Sequence, residues 1–202
     1  MCDYCRAQLP LLPAGLDICL SQHQQNLCIE HIDGLCSAAV YRWPVNKWVY
    51  GLKFGAKPEC AKVLGYFLAK QLEQHSWPVD HIVSVPLSWI RYFNRGYNQS
   101  DLLLKEILLY IHPLSDVGRC KSLYRDLIRH RHTQPQAKLN QQQRMDNVDK
   151  VFKCKTPIMG KRILLIDDVV TTAHTINQAA RALKNAGAAK VYVGCAALKI
   201  LD

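Results

Sequence analysis

The sequence predicts an α/β protein in which helices cover a parallel sheet and a short cysteine-rich segment comes first. Two observations carry this prediction. After the first 40 residues, strand-like runs alternate with stretches of helical spacing, which is the pattern of successive βα units. In addition, five of the nine cysteines fall within the first 36 residues, where little core-forming pattern is present. We therefore divide the chain into a segment at 1–36 and an α/β domain at 37–202.

The N-terminal segment has the residue types and spacing of a structural zinc site. Cys2 and Cys5 form a C-x2-C pair, whose two thiolates can bind one tetrahedral zinc ion from a single turn. The further candidate ligands in this segment are Cys19, His23, Cys28, His31 and Cys36. The simpler alternative is that these cysteines are small apolar core residues. A bound zinc ion would supply the folding energy that so short a segment otherwise lacks.

The α/β domain is predicted from its hydrophobic patterns. The β-branched run VDHIVSVPL at 79–87 is followed by helical spacing of leucines over 100–111. The stretch KRILLID at 161–167 is apolar on both faces, as expected of a central parallel strand. A helix over 171–186 and a strand that begins at Lys190 follow, so this part of the chain predicts a β-turn-α-β crossover.

A ligand site is predicted where the strand at 161–167 ends. The stretch LLIDDVVTTAHT places Asp167 and Asp168 at a carboxyl edge, where open parallel sheets bind ligands. The helix that follows offers free amides and a dipole to a phosphate group, and the threonines add hydroxyl donors. Because the carboxylates can accept hydrogen bonds from ribose hydroxyls, the stretch suits a 5-phosphoribosyl group. The simpler alternative is a plain N-capped helix, since Asp and Thr are favoured at helix starts.

Charge and hydropathy narrow the classes of partner. The net charge of +10 favours polyanions such as nucleic acid, nucleotides or pyrophosphate. The longest apolar candidate, LLLKEILLYI, is interrupted by Lys105 and Glu106 and is shorter than the roughly 18 residues that span a bilayer. The first residues, MCDYCRAQ, lack the apolar region of a signal peptide. We expect a cytoplasmic protein without a membrane span.

Residues 119–144 carry seven Lys or Arg against the single acid Asp126. This composition predicts a flexible basic loop that does not pack as a core element and that closes over an anionic ligand or follows a nucleic-acid backbone. The predicted nucleic-acid contacts are Arg125, Arg129 and Arg131. Tyr124 is the only aromatic residue in the stretch, which favours phosphate contact over base stacking.

Four blocks of the sequence resemble the ComF/GntX-like family, in which a zinc-binding segment precedes a type I phosphoribosyltransferase domain. They are CDYC at Cys2, VPLSWIRYFNRGYNQSDLL from Val85, RHRHTQPQAKLNQQQRMDNVDKVF from Arg129, and LLIDDVVTTAHT from Leu164. The last resembles the family's phosphoribosyl diphosphate signature. The resemblance implies catalytic roles for Asp167 and Asp168 and a binding site for phosphoribosyl diphosphate. That site comprises Asp167, Asp168, Val169, Thr171, Thr172, Ala173, His174, Thr175, Arg95 and Lys53.

The chain departs from the family pattern at two points. Ala173 stands where the phosphate loop usually has glycine, and a left-handed backbone there costs alanine roughly 1 kcal/mol or more. In the zinc segment, the second ligand pair is not C-x2-C. Spacing to a strand beginning near Ser37 favours Cys19 and His23 as the partners of Cys2 and Cys5, and the alternative pair is Cys28 and His31.

The resemblance implies a protein of natural transformation and DNA uptake that binds phosphoribosyl diphosphate with magnesium and handles single-stranded DNA in the cytoplasm. Other DNA-uptake or recombination proteins are its implied partners, with zinc as a structural cofactor. The alternative is an active phosphoribosyltransferase that transfers ribose 5-phosphate to a nitrogen acceptor. A third interpretation is an adaptor whose zinc segment docks other proteins. No residue outside the phosphate loops identifies an acceptor base, which favours the binding function.

Overall fold

The structure is a computed structural model. It describes residues 2–20, 27–111, 117–118, 120–123, 126–129 and 151–200, apart from the side chains of Asp3 and Cys5.

The helices lie at α1 Asp3–Ala7, α2 Val45–Phe54, α3 Cys60–Leu72, α4 Trp89–Arg95, α5 Gln99–Tyr110 and α6 His174–Asn185, with a 3-10 turn at Ile18–Leu20. The strands lie at β1 Gly34–Val40, β2 His81–Ser84, β3 Lys121–Ser122, β4 Leu127–Arg129, β5 Phe152–Cys154, β6 Arg162–Val170 and β7 Lys190–Leu198.

Within the described residues, β1, β7, β6, β2 and β3 form a five-stranded sheet in that order, and each neighbouring pair is parallel. Strands β4 and β5 form a separate antiparallel pair. The α/β fold with a parallel sheet is therefore confirmed. Because all five strands run in one direction, their carboxyl ends share one edge of the sheet, where ligands bind in folds of this kind.

Two apolar clusters cover the two faces of the sheet. Leu164 and Ile166 of β6 belong to the cluster formed with α2, α3 and α5. Ile163 and Leu165 belong to the other, which contains Ile176, Ala180 and Leu183 of α6. This alternation follows from the period of two residues in a strand. It explains why β6 is apolar at consecutive positions, as the sequence predicts for a central strand.

The crossover from β6 through α6 to β7 is present as predicted. Strand β6 is longer than expected and continues through Val170, which pairs with Leu198 of β7. Helix α6 begins at His174 rather than at residue 171, because 171–173 form a turn. Among the residues that the structure describes, no helix combines the length and apolarity needed to cross a membrane.

One sequence-based expectation is wrong in part. The stretch 119–144 was expected to contain no core element. However, Leu123 and Leu127 are 8% and 3% exposed and pack in the apolar cluster that contains the buried residues of α6. These apolar side chains anchor β3 beside β2 and β4 beside β5, despite the basic residues around them. Residues 130–144 lie outside the described residues.

The predicted boundary between residues 36 and 37 falls within β1, which begins at Gly34. Cys36, one of the candidate zinc ligands, is fully buried in this strand. Ile18 also packs in the domain core, and the backbone of Leu12 donates a hydrogen bond to the carbonyl of Ala38. The stretch at 9–18 therefore lies against the sheet.

Candidate functional site at the carboxyl edge of the sheet

The two adjacent acids of β6 lie at the carboxyl edge of the sheet. Asp167 Oδ1 accepts hydrogen bonds from the Ser100 hydroxyl at 3.1 Å and from the backbone amide of Asp168 at 2.9 Å. Asp168 Oδ1 lies 2.8 Å from Lys53 Nζ. Both acids line one cleft of about 420 Å³, so they face an open cavity rather than the apolar interior. The sequence-based prediction placed them at this edge.

Lys53 is held in place by two side chains from the RGYNQ block, which comprises residues 95–99. The Tyr97 hydroxyl donates to the backbone carbonyl of Leu52 at 2.9 Å, and Gln99 Nε2 approaches the same oxygen at 3.5 Å. These contacts fix the last turn of α2 against the start of α5. They position Lys53 toward Asp168, although no sequence pattern connects the two residues.

Burial raises the pKa of Asp167 to about 7, and repulsion from the neighbouring Asp168 carboxylate adds to the effect. The Asp168 amide, Lys53 and the Ser100 hydroxyl act in the opposite direction and offset only part of it. A carboxyl group that titrates near neutral pH at the wall of a cleft is typical of functional sites. Among the described residues, Lys53 pairs with Asp168 only, so the two neighbouring carboxylates can accept further positive charge.

The turn between β6 and α6 keeps the backbone that the glycine of the family would adopt. Ala173 has φ 62° and ψ 0°, the left-handed conformation, and its side chain is 4% exposed. The N-cap residue of α6 is Ala173, which makes no side-chain cap hydrogen bond, so the alternative of a plain Asp or Thr cap is wrong. Thr171, Thr172, His174 and Thr175 are exposed instead, and the turn surrounds a small cavity of about 30 Å³ beside Asp167.

The same cleft is rich in basic residues. Arg91, Arg95 and Arg129 line it together with Lys53, and Thr175 and Val169 line the side of the phosphate turn. Four cations and two carboxylates therefore line one cavity large enough for a sugar phosphate. Such a surplus suits an anion that carries several charges, such as a diphosphate.

The RGYNQ block serves partly as support. Arg95 donates to Gln99 Oε1 at 2.9 Å, and its guanidinium lies 5.0 Å from the centre of the Phe54 ring. Asn98 accepts from the Ser100 amide as the N-cap of α5 and donates to the carbonyl of Val85 at 3.0 Å. Of this block, Arg95 reaches the cleft, and the buried Gln99 holds its guanidinium, whereas the buried Asn98 holds the start of α5.

Of the three arginines predicted to contact nucleic acid, Arg129 lies in the cleft, and Arg125 and Arg131 lie outside the described residues. The Arg129 guanidinium lies 5.3 Å from the centre of the Phe152 ring. Burial and the nearby Arg91 lower the pKa of Arg129 from its usual range. Arg129 and Asp167 therefore line the same cleft.

The predicted zinc ligands remain a prediction. Among the described side chains, no group of three or more His, Cys, Asp or Glu is arranged to hold a metal ion. The predicted set includes the Cys5 side chain and His23, which lie outside that description. Cys19 is half-buried in the 3-10 turn.

The alternative pair, Cys28 and His31, lies against the phosphate turn. The Cys28 amide donates to the carbonyl of Thr172 at 3.1 Å, and Asn177 Nδ2 donates to Cys28 Sγ at 3.1 Å. The His31 amide donates to Asn177 Oδ1 at 2.9 Å. The end of the N-terminal segment thus braces the first turn of α6.

Magnesium would find suitable ligand types in the cleft, since it prefers carboxylate and phosphate oxygens. Asp167 and Asp168 are the carboxylates present there. Asp168 already has Lys53 as a partner, so the two acids offer few oxygens of their own. The ligand's phosphates and hydroxyls would complete the coordination, which is how magnesium is commonly held in nucleotide sites.

A parallel sheet with an acidic strand end, followed by an exposed threonine turn and a helix, defines a phosphoribosyltransferase-like domain. The model of the phosphoribosyl transferase domain matches residues 113–200. DNA utilization protein YhgH of Escherichia coli (strain K12) is 34% identical over 167 residues, which cover 80% of this chain and 70% of the relative. Competence protein F of Haemophilus influenzae is 26% identical over 201 residues, 95% of this chain and 82% of the relative.

The chain belongs to the ComF-like family of phosphoribosyltransferase-like proteins. Among solved structures, the allosteric regulatory enzyme of purine biosynthesis overlaps 74% of this chain and 30% of its own, at 19% identity and a TM-score of 0.47.

The contact between Ser100 and Asp167 was not predicted from the sequence. The helical conformation of residues 89–95, whose arginines line the cleft, was not predicted either. The spacing of WIRYFNR carries the relevant signal, since Arg91 and Arg95 are four residues apart and share a helix face.

Proposed function

We propose that the cleft binds 5-phosphoribosyl 1-diphosphate and that the protein handles single-stranded DNA in the cytoplasm during DNA uptake. The binding of 5-phosphoribosyl 1-diphosphate is supported by one observation, which is that two carboxylates and four cations line the same cleft of about 420 Å³. Ribose hydroxyls would donate to Asp167 and Asp168. The diphosphate would lie against Arg91, Arg95 and Lys53, and the 5-phosphate against the turn at 171–175.

The phosphate turn supports this assignment because its threonines face solvent. Thr171, Thr172 and Thr175 are exposed, and the N-cap residue of α6, Ala173, makes no side-chain cap hydrogen bond. The first amides of a helix attract phosphate through their free N–H groups and the helix dipole. Magnesium, when bound with the ligand, would neutralise part of the diphosphate charge beside the carboxylates.

The test is isothermal calorimetry of phosphoribosyl diphosphate with magnesium. The double variant Asp167→Ala/Asp168→Ala should weaken binding by roughly 100-fold or more, because a hydrogen bond to a charged group contributes about 1.5–3 kcal/mol. Glu106→Gln, which removes an acid from the other end of α5, is the matched control and should bind as the unmodified protein does. Unchanged binding in the double variant would refute the proposed site.

The DNA part of the proposal draws support from the net charge of +10 and from what its relatives are called, a DNA utilization protein and a competence protein. Affinity for an oligothymidylate should fall steeply with salt. Replacing Arg125 and Arg131 with alanine should reduce the slope of log affinity against log salt by about 1.4, since each lost single-strand phosphate contact contributes about 0.7. An affinity of the unmodified protein that does not depend on salt would contradict this account.

An active transferase is the second candidate function, and a specific observation favours it. A second cavity of about 430 Å³ adjoins the cleft and shares Pro86, Leu87 and Arg129 with it, so an acceptor has room beside the ribose. In the reaction, a nitrogen of the acceptor would form a bond to the anomeric carbon while the bond to pyrophosphate breaks, and the nitrogen would lose a proton. Labelled phosphoribosyl diphosphate with a panel of bases, nucleotides and oligonucleotides should then release pyrophosphate. No release above the Asp167→Ala/Asp168→Ala background with any acceptor would exclude turnover for that panel.

A further inference from the structure

Helix α4 presents a face of aromatic rings to solvent. None of its residues is buried, and Trp89, Tyr92 and Phe93 are 47%, 48% and 82% exposed. Residues three and four apart share one face of a helix, so these three rings lie together. The rings of Trp89 and Phe93 are 6.3 Å apart in an edge arrangement. Single exposed apolar residues are ordinary, but a contiguous aromatic face marks an interaction surface.

The other side of the same helix is cationic. Arg91 and Arg95 are four residues apart and line the basic cleft with Lys53. They also line a neighbouring cavity of about 420 Å³ with Phe54, which the Arg95 guanidinium covers. Helix α4 is therefore a ridge with positive charge on one side and aromatic rings on the other.

A cavity of about 430 Å³ lies beside the aromatic face. Trp89 and Tyr92 contribute its aromatic wall, and Asp101 and Lys155 contribute polar groups. The Asp101 carboxylate accepts a hydrogen bond from the Ser84 hydroxyl, which fixes its orientation. A planar heterocycle would have ring faces to stack on and both a carboxylate and an amine to meet its edge.

We propose that the aromatic face of α4 and the cavity beside it bind the unpaired bases of single-stranded DNA, while Arg91 and Arg95 contact its phosphates when the cleft holds no diphosphate. This inference rests on the proposed function and names the surface that performs its DNA part. Aromatic rings on one side of a ridge and cations on the other suit a single strand, because every base has a face to stack and every linkage has a charge. In a duplex, stacking between neighbouring base pairs hides those faces, so the surface selects single strands.

A membrane surface is the other partner that exposed aromatic and basic residues suit, and two observations disfavour it. The rings of Trp89 and Tyr92 line a concave cavity rather than a convex tip. Asp101 also lies in that cavity, where it would face the anionic headgroups that basic residues recruit.

The test compares the DNA affinity of variants in which an exposed aromatic residue of α4 or of α5 is replaced by alanine. Fluorescence anisotropy with a labelled oligothymidylate should show a loss of roughly 5- to 150-fold for Phe93→Ala and a larger loss for Trp89→Ala/Phe93→Ala. The slope of log affinity against log salt should stay unchanged in these variants. Arg91→Ala/Arg95→Ala should instead lower the slope by about 1.4. Tyr110→Ala, at the far end of α5, is the aromatic control and should bind as the unmodified protein does.

The outcomes separate this inference from the function on which it rests. If the unmodified protein binds no oligothymidylate at low salt, the proposed DNA function fails and the inference fails with it. If it binds, but Trp89→Ala/Phe93→Ala binds as Tyr110→Ala does, the aromatic surface is not the site and only the inference is overturned. Binding of anionic lipid vesicles that the double variant abolishes, with oligonucleotide affinity unchanged, would assign the surface to membranes and also overturn it.

Discussion

Asp167 is expected to lower the stability of the folded protein at neutral pH. Its pKa is raised to about 7 from an ordinary value of 3.8, so the native state retains a proton that the unfolded state has lost between these two values. Stability therefore falls as the pH rises from about 4 to 7, and the loss is complete above the folded pKa. Asp167→Asn should remove this penalty. Asparagine keeps an oxygen that accepts from the Ser100 hydroxyl and from the Asp168 amide.

The expected size follows from the pKa. A tenfold change in proton affinity corresponds to about 1.4 kcal/mol, so the change from 3.8 to about 7 sets an upper limit of about 4 kcal/mol at pH 8. At pH 5 the native carboxyl is still protonated, and the same arithmetic gives at most about 2 kcal/mol. We expect Asp167→Asn to raise the free energy of unfolding at both pH values, with the larger gain at pH 8.

Urea unfolding at pH 5 and pH 8, without ligand, measures this difference. Asp80→Asn is the control, because its contacts with Arg162 hold the pKa of Asp80 well below its usual range. Its contribution is therefore fully present at both pH values, and the variant should lose stability equally at each. A gain for Asp167→Asn that is the same at pH 5 and pH 8, or a loss at pH 8, would refute the assignment of a raised pKa.

Three further predictions concern the site and its surroundings. Lys53→Ala leaves a buried aspartate without its partner and should cost about 1–3 kcal/mol in urea unfolding, whereas Lys70→Ala, in a more exposed pair, should cost less than about 1 kcal/mol. Ala173→Gly relieves a left-handed backbone but loses a buried methyl group worth about 0.8 kcal/mol. It should therefore stabilise less than Ala56→Gly, which relieves a similar backbone at an exposed position, and the reverse order of melting temperatures would contradict this. Metal analysis should give about one zinc per chain, which falls in Cys5→Ser, and a metal-free protein purified under reducing conditions without chelator would refute the zinc site.

The elements around the site were predictable where hydrophobic pattern alone determines them. The run at 161–167 is apolar on both faces because it lies between two helical layers, and it forms the middle strand of the described sheet. Asp167 and Asp168 at its end stand out because carboxylates are unfavourable in a buried strand. The basic stretch near Leu123 was misjudged, since its charge count conceals two apolar anchors that are enough to hold short strands.

The family resemblance assigned Lys53 and Asp168 to one site, but the contacts that bring them together were not predictable from the residues. Lys53 reaches Asp168 only because Tyr97 and Gln99 hold the last turn of α2 by its backbone, and a backbone carbonyl leaves no trace in the sequence. The aromatic face of α4 has a signal in the spacing of Trp89 and Phe93. Hydrophobic spacing alone would predict that this face is buried. Its exposure depends on how α4 packs against the rest of the fold.

Two unfavourable features occur close together in the same stretch of chain. Asp167 bears a carboxyl group whose ionisation the surroundings oppose, and Ala173 holds a backbone conformation that alanine disfavours. Neither is needed for the fold, because asparagine at the first position and glycine at the second would satisfy the same hydrogen bonds and turn. Local costs that persist without a structural benefit are typical of binding and catalytic sites. A ligand that donates to an ionised Asp167 and occupies the turn would offset both costs, and it should therefore lower the pKa of Asp167 and release a proton on binding near pH 7. Calorimetry in two buffers of different ionisation enthalpy measures the number of protons released on binding. If no proton is released, Asp167 does not contact the ligand.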